Sequence, residues 1–150
     1  MPFKINISNK DGKTYKLELE SEDLVGKQLH DKLEGKTILP DLAGYEFEIT
    51  GASDKSGFTA MNDIEGVRLK KVLMTYGKGF KKRPRKEGKK KLAKNRPKGL
   101  RMRKTVRGKV ISEAISQINL KVIKEGDKKI EQVFPDQNKA PEKEEVEEKK

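Results

Sequence analysis

FKINISNKDGKTYKLELE, residues 3–20, decides the fold class. Phe3, Ile5 and Ile7 alternate with Lys4, Asn6 and Ser8, the period-two pattern of a half-buried strand. Tyr15, Leu17 and Leu19 alternate with Lys16, Glu18 and Glu20 in the same way. Between them, Asn9-Lys10-Asp11-Gly12 is turn chemistry, because Asn, Asp and Gly tolerate positive φ. Two alternating runs around an Asp-Gly turn predict a β-hairpin.

Working outward, Tyr45, Phe47 and Ile49 predict a third strand, after a turn bracketed by Pro40 and Gly44. GASDKSG, residues 51–57, reads as a loop, and residues 67–76 as a further strand region with Val72, Met74 and Tyr76 in one phase. Val110-Ile111 opens another strand, and Ile118, Leu120 and Val122 alternate with Asn119, Lys121 and Ile123. Residues 21–34 differ. Ser21 can cap a helix, Gly35 can end it, and Leu24, Val25, Leu29 and Leu33 share a rough helical face, with Gly26 weakening the pattern. The expectation is a mainly β protein: a small antiparallel barrel-like domain over residues 1–134, with one short helix at 21–34. From Pro135 to residue 150 the chain is rich in Asp, Glu, Lys and Pro, which predicts a disordered tail.

Charge is concentrated in one place. The 150 residues carry a net +12, yet residues 1–76 are net −2. Residues 77–109 hold 17 basic groups against one acid, Glu87, for a net +16. These groups are Lys78, Lys81, Lys82, Arg83, Arg85, Lys86, Lys89, Lys90, Lys91, Lys94, Arg96, Lys98, Arg101, Arg103, Lys104, Arg107 and Lys109. Such a block repels itself unless a polyanion neutralises it, so nucleic acid is the implied partner and these residues the candidate contacts. Because strands are expected on both sides, the block is a long insertion held at both ends. Leu92, Leu100, Met102 and Val106 are scattered singly, unlike the apolar face of a membrane-binding helix. Arg83-Pro84-Arg85 sets two guanidiniums on a stiffened extended backbone, and Asn95-Arg96-Pro97-Lys98-Gly99 reads as a second extended break. Leu92 to Lys94 is compatible with a helical turn between them. Only Phe80, at the edge, could stack on a base, which points away from single-strand stacking platforms and toward backbone and shape recognition of folded RNA or duplex.

Other chemistries have little support. There is no cysteine, hence no disulfide framework, Cys-based zinc site or thiol nucleophile. No apolar run approaches the roughly 18 residues of a membrane span, and no secretory signal is visible at the N-terminus, so an intracellular protein is expected. The single His30 reads as an exposed helix residue. Tyr76-Gly77-Lys78-Gly79-Phe80 does not continue as a nucleotide-binding glycine motif and reads as a flexible exit from a strand. Asp54, Asp63 and Glu65 are close enough in sequence for a metal-dependent nuclease to be entertained, with solvated acids as the plainer reading. No catalytic residue, metal site, cofactor or small-molecule substrate is expected.

Four stretches, in order, resemble one family. They are Leu24-Val25-Gly26-Lys27, Asp54-Lys55-Ser56-Gly57-Phe58, the run from Arg83-Pro84-Arg85 through Gly88 to Arg103-Lys104-Thr105-Val106-Arg107-Gly108, and ISEAISQINLKVIK at 111–124. Together they resemble small-subunit ribosomal protein six of the archaeal and eukaryotic type, over about residues 3–134, with an archaeal-like member the better match. Gly51-Ala52 and Thr59-Ala60 depart from the family's usual Gly-Gly and Gly-Phe-Pro, and the linker from Gly88 to Arg103 is longer by about ten residues, an insertion that a loop tolerates. The resemblance implies a structural constituent of the small ribosomal subunit in the cytoplasm. Its partners would be small-subunit ribosomal RNA and neighbouring ribosomal proteins, with no membrane. The alternative is a free nucleic-acid-packaging or RNA-chaperone protein, which would bind DNA and RNA comparably.

Overall fold

The computed structural model describes residues 2–80, 98–126 and 128–138. Seven strands and one α-helical turn form the fold: β1 Phe3–Ser8, β2 Thr14–Leu19, β3 Lys32–Glu34, β4 Glu46–Asp54, β5 Leu69–Met74, β6 Met102–Arg107, β7 Ile115–Lys124 and α1 Ile130–Val133. β1 and β2 form the predicted hairpin, with Ile5 opposite Leu17 and Ile7 opposite Tyr15. The period-two pattern of β7 also holds, with Ile118, Leu120 and Val122 all buried.

One sheet has the order β2-β1-β7-β4-β3, and β5 and β6 form a second, two-stranded sheet. The molecule is mainly β with one short helix, as expected, but the sheets do not close into a barrel. The expected purely antiparallel arrangement is also corrected, because β1 and β7 run parallel, with Ile5 level with Ile118. The chain must travel the whole domain between these two strands, and that long path permits a parallel pair. Core residues from neighbouring strands share one face: Ile5, Tyr15, Ile118, Phe47 and Ile49, closed over by Leu24, Leu42, Ile111 and Ile130. The opposite face is polar, with Asn6 Nδ2 donating to Asn119 Oδ1 and Gln117 Nε2 donating to the same oxygen.

The helix expected at 21–34 does not form. Gly26 has φ +88° and His30 φ +71°, both in the left-handed region that interrupts a helix. Backbone groups there are used by other segments: Gly26 N–H donates to Ile111 O, Leu29 N–H to Lys109 O and His30 N–H to Ile49 O. Leu24, Leu29 and Leu33 are still buried but Val25 is exposed, so the apolar spacing reported burial correctly for three of its four residues and helicity wrongly. His30 lies in this turn with its Nδ1 2.8 Å from Glu48 Oε1, and is not a helix residue. Lys32–Glu34 pairs with β4 as the edge strand β3.

Two further boundaries shift. β4 runs on through Gly51 to Asp54 by means of register shifts, so half of the expected 51–57 loop is strand. Val110 makes only an isolated bridge to Gln28, and the next strand begins at Ile115. The one α-helix among the described residues, α1, lies near the C-terminus, where Ile130 enters the core and Phe134 stacks on Tyr15 with ring centroids 5.8 Å apart. Residues 135–138, read as the start of the tail, dock on β2. Gln137 accepts from Lys16 N–H and donates to Lys16 O, and Asn138 donates to Thr14 O, covering an edge that strand addition could otherwise use. The rest of the expected tail, 139–150, lies outside the described residues.

Candidate nucleic-acid interface

The basic block begins on β5's exit and returns through β6. Opposed residues on an antiparallel pair share a face, so Leu69/Arg107, Lys71/Thr105 and Leu73/Arg103 lie on one side. Lys70/Val106, Val72/Lys104 and Met74/Met102 lie on the other. The second side leans on the domain through Val106, which is buried. The first leaves Leu69, Lys71, Leu73 and Arg103 exposed.

Both ends of the block are fixed. At its exit, Gly77 N–H donates to Phe80 O (2.8 Å) and Phe80 N–H to Gly77 O (3.1 Å), a closed turn instead of the flexible exit expected. Gly79 has φ +76°, which glycine adopts at no steric cost. Lys78 Nζ reaches across to donate to Thr50 O at 3.1 Å. On the return, Lys98-Gly99 forms a turn, Arg101 is exposed, and Met102 enters β6 opposite Met74. Residues 81–97 lie outside the described residues. With them go Lys81, Lys82, Arg83, Arg85, Lys86, Lys89, Lys90, Lys91, Lys94 and Arg96, the Arg-Pro-Arg element, and the possible turn at 92–94.

The described basic residues divide by environment. Lys98, Arg101 and Arg103 are exposed and available to phosphate. Lys104 is half-buried with its ammonium 5.6 Å from the Phe80 ring centroid, a cation–π contact. Phe80 itself is only 4% exposed, so the one aromatic that looked able to stack on a base is a core residue. Lys109 is half-buried, its N–H bonded to Ile64 O and its carbonyl to Leu29 N–H.

Arg107 is not presented to solvent. Its Nε donates to Asp54 Oδ2 at 2.9 Å and a second nitrogen donates to Val67 O at 3.1 Å. Phe58 N–H donates to the other Asp54 oxygen at 2.9 Å. Burial works to raise the Asp54 carboxyl, but the Arg107 and Phe58 hydrogen bonds outweigh it and hold the pKa below the usual carboxylate value. The Asp54-Lys55-Ser56-Gly57-Phe58 loop and the Arg-Lys-Thr-Val-Arg-Gly string are therefore two halves of one structural joint. This also disposes of Asp54 as a metal ligand beside Asp63 and Glu65. Its carboxylate is occupied, the other two are exposed, and among the described residues no group of three or more His, Cys, Asp or Glu could hold a metal.

Lys70 and Lys71 extend the exposed basic surface onto β5 and escaped the sequence reading. They precede the dense block and were averaged into an acidic first half. Their signal was the antiparallel partner: they face Val106 and Thr105 of the basic string. Tyr76 was likewise read only as a strand residue, and it is 58% exposed.

Comparison with known proteins identifies the family. The family described as Ribosomal protein S6e matches residues 3–135. The chain is similar to the small ribosomal subunit protein eS6 of Methanococcus maripaludis (strain C5), at 39% identity over 127 residues, covering 84% of this chain and 90% of the relative. The proteins of the same name from Methanosphaera stadtmanae and Thermoplasma acidophilum are 40% and 37% identical, covering 89% and 85% of this chain and 93% of each relative.

Proposed function

The chain belongs to the Ribosomal protein S6e family, and from that premise we propose that it is a structural constituent of the small ribosomal subunit that grips folded ribosomal RNA through residues 77–109. The observation that carries this reading is the β5–β6 hairpin, which holds both ends of a net +16 segment on a near-neutral domain. Anchored ends spare part of the ordering entropy that a free tail would lose on binding. Neutralising phosphates on several RNA helices lets their backbones approach one another. With six to eight phosphates contacted, log K falls against log salt with a slope of roughly −4 to −7. The role is architectural, its place is on the ribosome in the cytoplasm, and its partners are ribosomal RNA and adjoining ribosomal proteins.

The test is sedimentation of a lysate through a high-salt sucrose gradient, with the chain quantified by mass spectrometry. Stoichiometric recovery with the small subunit is expected. Combined Arg83→Glu, Arg85→Glu, Arg101→Glu and Arg103→Glu should leave the domain folded and abolish incorporation. Arg107 is left out of this set, because a carboxylate there would face Asp54 and unfold the joint. Normal incorporation of the variant overturns the role of the segment. Recovery at the top of the gradient or with DNA favours a free nucleic-acid-binding protein.

A further inference from the structure

Among the described strands β2 pairs only with β1, and its outer side is met by two side chains of the C-terminal segment. Lys16 N–H donates to Gln137 Oε1 at 2.7 Å, and Gln137 Nε2 donates back to Lys16 O at 2.8 Å. One side-chain amide thus makes the two bonds that the backbone of an antiparallel neighbour would make. Asn138 Nδ2 donates to Thr14 O at 2.9 Å, two residues back along the strand. The strap is pinned at its root. Phe134 stacks on Tyr15, Gln137 N–H donates to Phe134 O, and Lys13 pairs with Glu131.

We propose that this strap withholds a self-pairing edge. With Gln137 and Asn138 in place the chain is a monomer, and without them β2 pairs antiparallel with β2 of a second copy, centred on Leu17. The strap bonds show that Thr14 and Lys16 turn their backbone groups away from β1, and strand alternation makes Glu18 do the same. A two-fold axis at Leu17 therefore sets Lys16 opposite the partner's Glu18, and Glu18 opposite the partner's Lys16, in ladder-bonded register. Both side chains are exposed and opposite in charge, so the cross-strand attraction is made twice. Glu18 also has Lys4 at 3.8 Å, a loose contact between exposed groups that leaves its carboxylate accessible. On the other face of the sheet the same axis brings Leu17 against its own copy and Leu19 against the partner's Tyr15. Leu17 and Leu19 are half-buried at the margin of the core, so self-pairing extends their burial. This complementarity of charge and apolar surface commits the edge to a second copy. β2 stands three strands from β4, where Lys78 ties the exit of the basic segment to Thr50, so the strap acts apart from RNA binding.

The experiment uses the full chain without RNA, with sedimentation velocity for size and amide hydrogen exchange for the edge. Wild type should remain monomeric up to about 200 µM. Gln137→Ala with Asn138→Ala should dimerise with rising concentration. At a concentration where this variant is still monomeric, its Lys16 amide should exchange at least about tenfold faster than in wild type. Unchanged protection of the β1 amides shows that the hairpin stays folded. Adding Lys16→Glu to the double variant sets carboxylates against each other across the axis and should return it to monomer. Adding Glu18→Lys as well exchanges the charges and should restore the dimer. A dimeric wild type overturns closure by the strap, as does an unchanged Lys16 exchange rate in the double variant. A double variant that exchanges faster yet stays monomeric overturns the self-pairing edge. Open-ended aggregates, or a dimer indifferent to Lys16→Glu, overturn the two-fold register.

Discussion

Arg107 Nε lies 2.9 Å from Asp54 Oδ2, and this pair fastens the two-stranded sheet to the end of β4. The Arg107 side chain is 16% exposed and that of Asp54 4%, so removing either partner strands a charge in a poorly solvated place. Asp54→Ala or Arg107→Met should each destabilise the domain by about 3 kcal/mol. The double variant should lose far less than the sum, and urea unfolding of the four proteins measures the coupling directly. Additive losses would mean that the pair is no joint.

The same pair makes stability depend on acid. The folded Asp54 carboxyl titrates below its ordinary value, so its contribution is complete above the unfolded-state pKa of about 3.9 and is lost as pH falls through the lowered folded value. Wild type should lose stability more steeply than Asp54→Asn below about pH 4, and the two should run parallel from pH 5 to 8. Chemical denaturation across that range checks the sign. A steeper acid loss in Asp54→Asn would contradict it.

Much of this architecture was readable from alternation alone. β1, β2 and β7 from Ile118 to Val122 carry period-two patterns because one sheet face is core and the other meets water. Residues 21–34 misled because Leu24 and Leu29 bury themselves from turns, whose backbone partners are 109–111 and Ile49, far off in sequence. Long-range pairing of this kind leaves no local signature. The basic string shows the same limit at the site. Composition counts Arg103 and Arg107 alike, yet one is exposed and the other is taken by a carboxylate 53 residues away. Charge density marks the segment proposed to bind RNA, and only tertiary geometry separates its exposed basic residues from its fasteners.

Tyr15 is buried with its hydroxyl unpaired among the described residues, while its ring stacks on Phe134. Tyr15→Phe keeps the ring contact and removes a desolvated donor. It should be neutral or stabilising by up to about 1 kcal/mol, read as the urea midpoint. A clear loss of stability would reveal a water or other partner at that hydroxyl.

Gly108 tests how closely the basic string is packed. A Cβ at this position would lie 1.8 Å from Gly66 O, which is backbone and cannot swing aside. Gly66 O also accepts from Val110 N–H, so displacing it breaks a second contact. Gly108→Ala should cost at least about 2 kcal/mol, and Gly12→Ala, with open space but φ +82°, should cost less. Thermal melts of the two variants rank them, and reversal of the order would mean that the 65–66 segment yields easily.

The proposed division of the basic residues into gripping and fastening groups predicts different salt dependences. Arg103 and Lys71 lie exposed on one side of the hairpin, placed to neutralise one phosphate each. Arg103→Ala and Lys71→Ala should each reduce the magnitude of the log K against log salt slope by about 1, with little change in the unfolding midpoint. Arg107→Met should do the opposite, lowering the midpoint while keeping the slope, provided binding is measured at a temperature where the variant is folded. Filter binding of a structured RNA between 50 and 300 mM salt, alongside urea unfolding, places each variant on both axes. An Arg107→Met slope reduced as much as that of Arg103→Ala would show that Arg107 leaves Asp54 to meet RNA, and the joint would then be a switch that opens on binding.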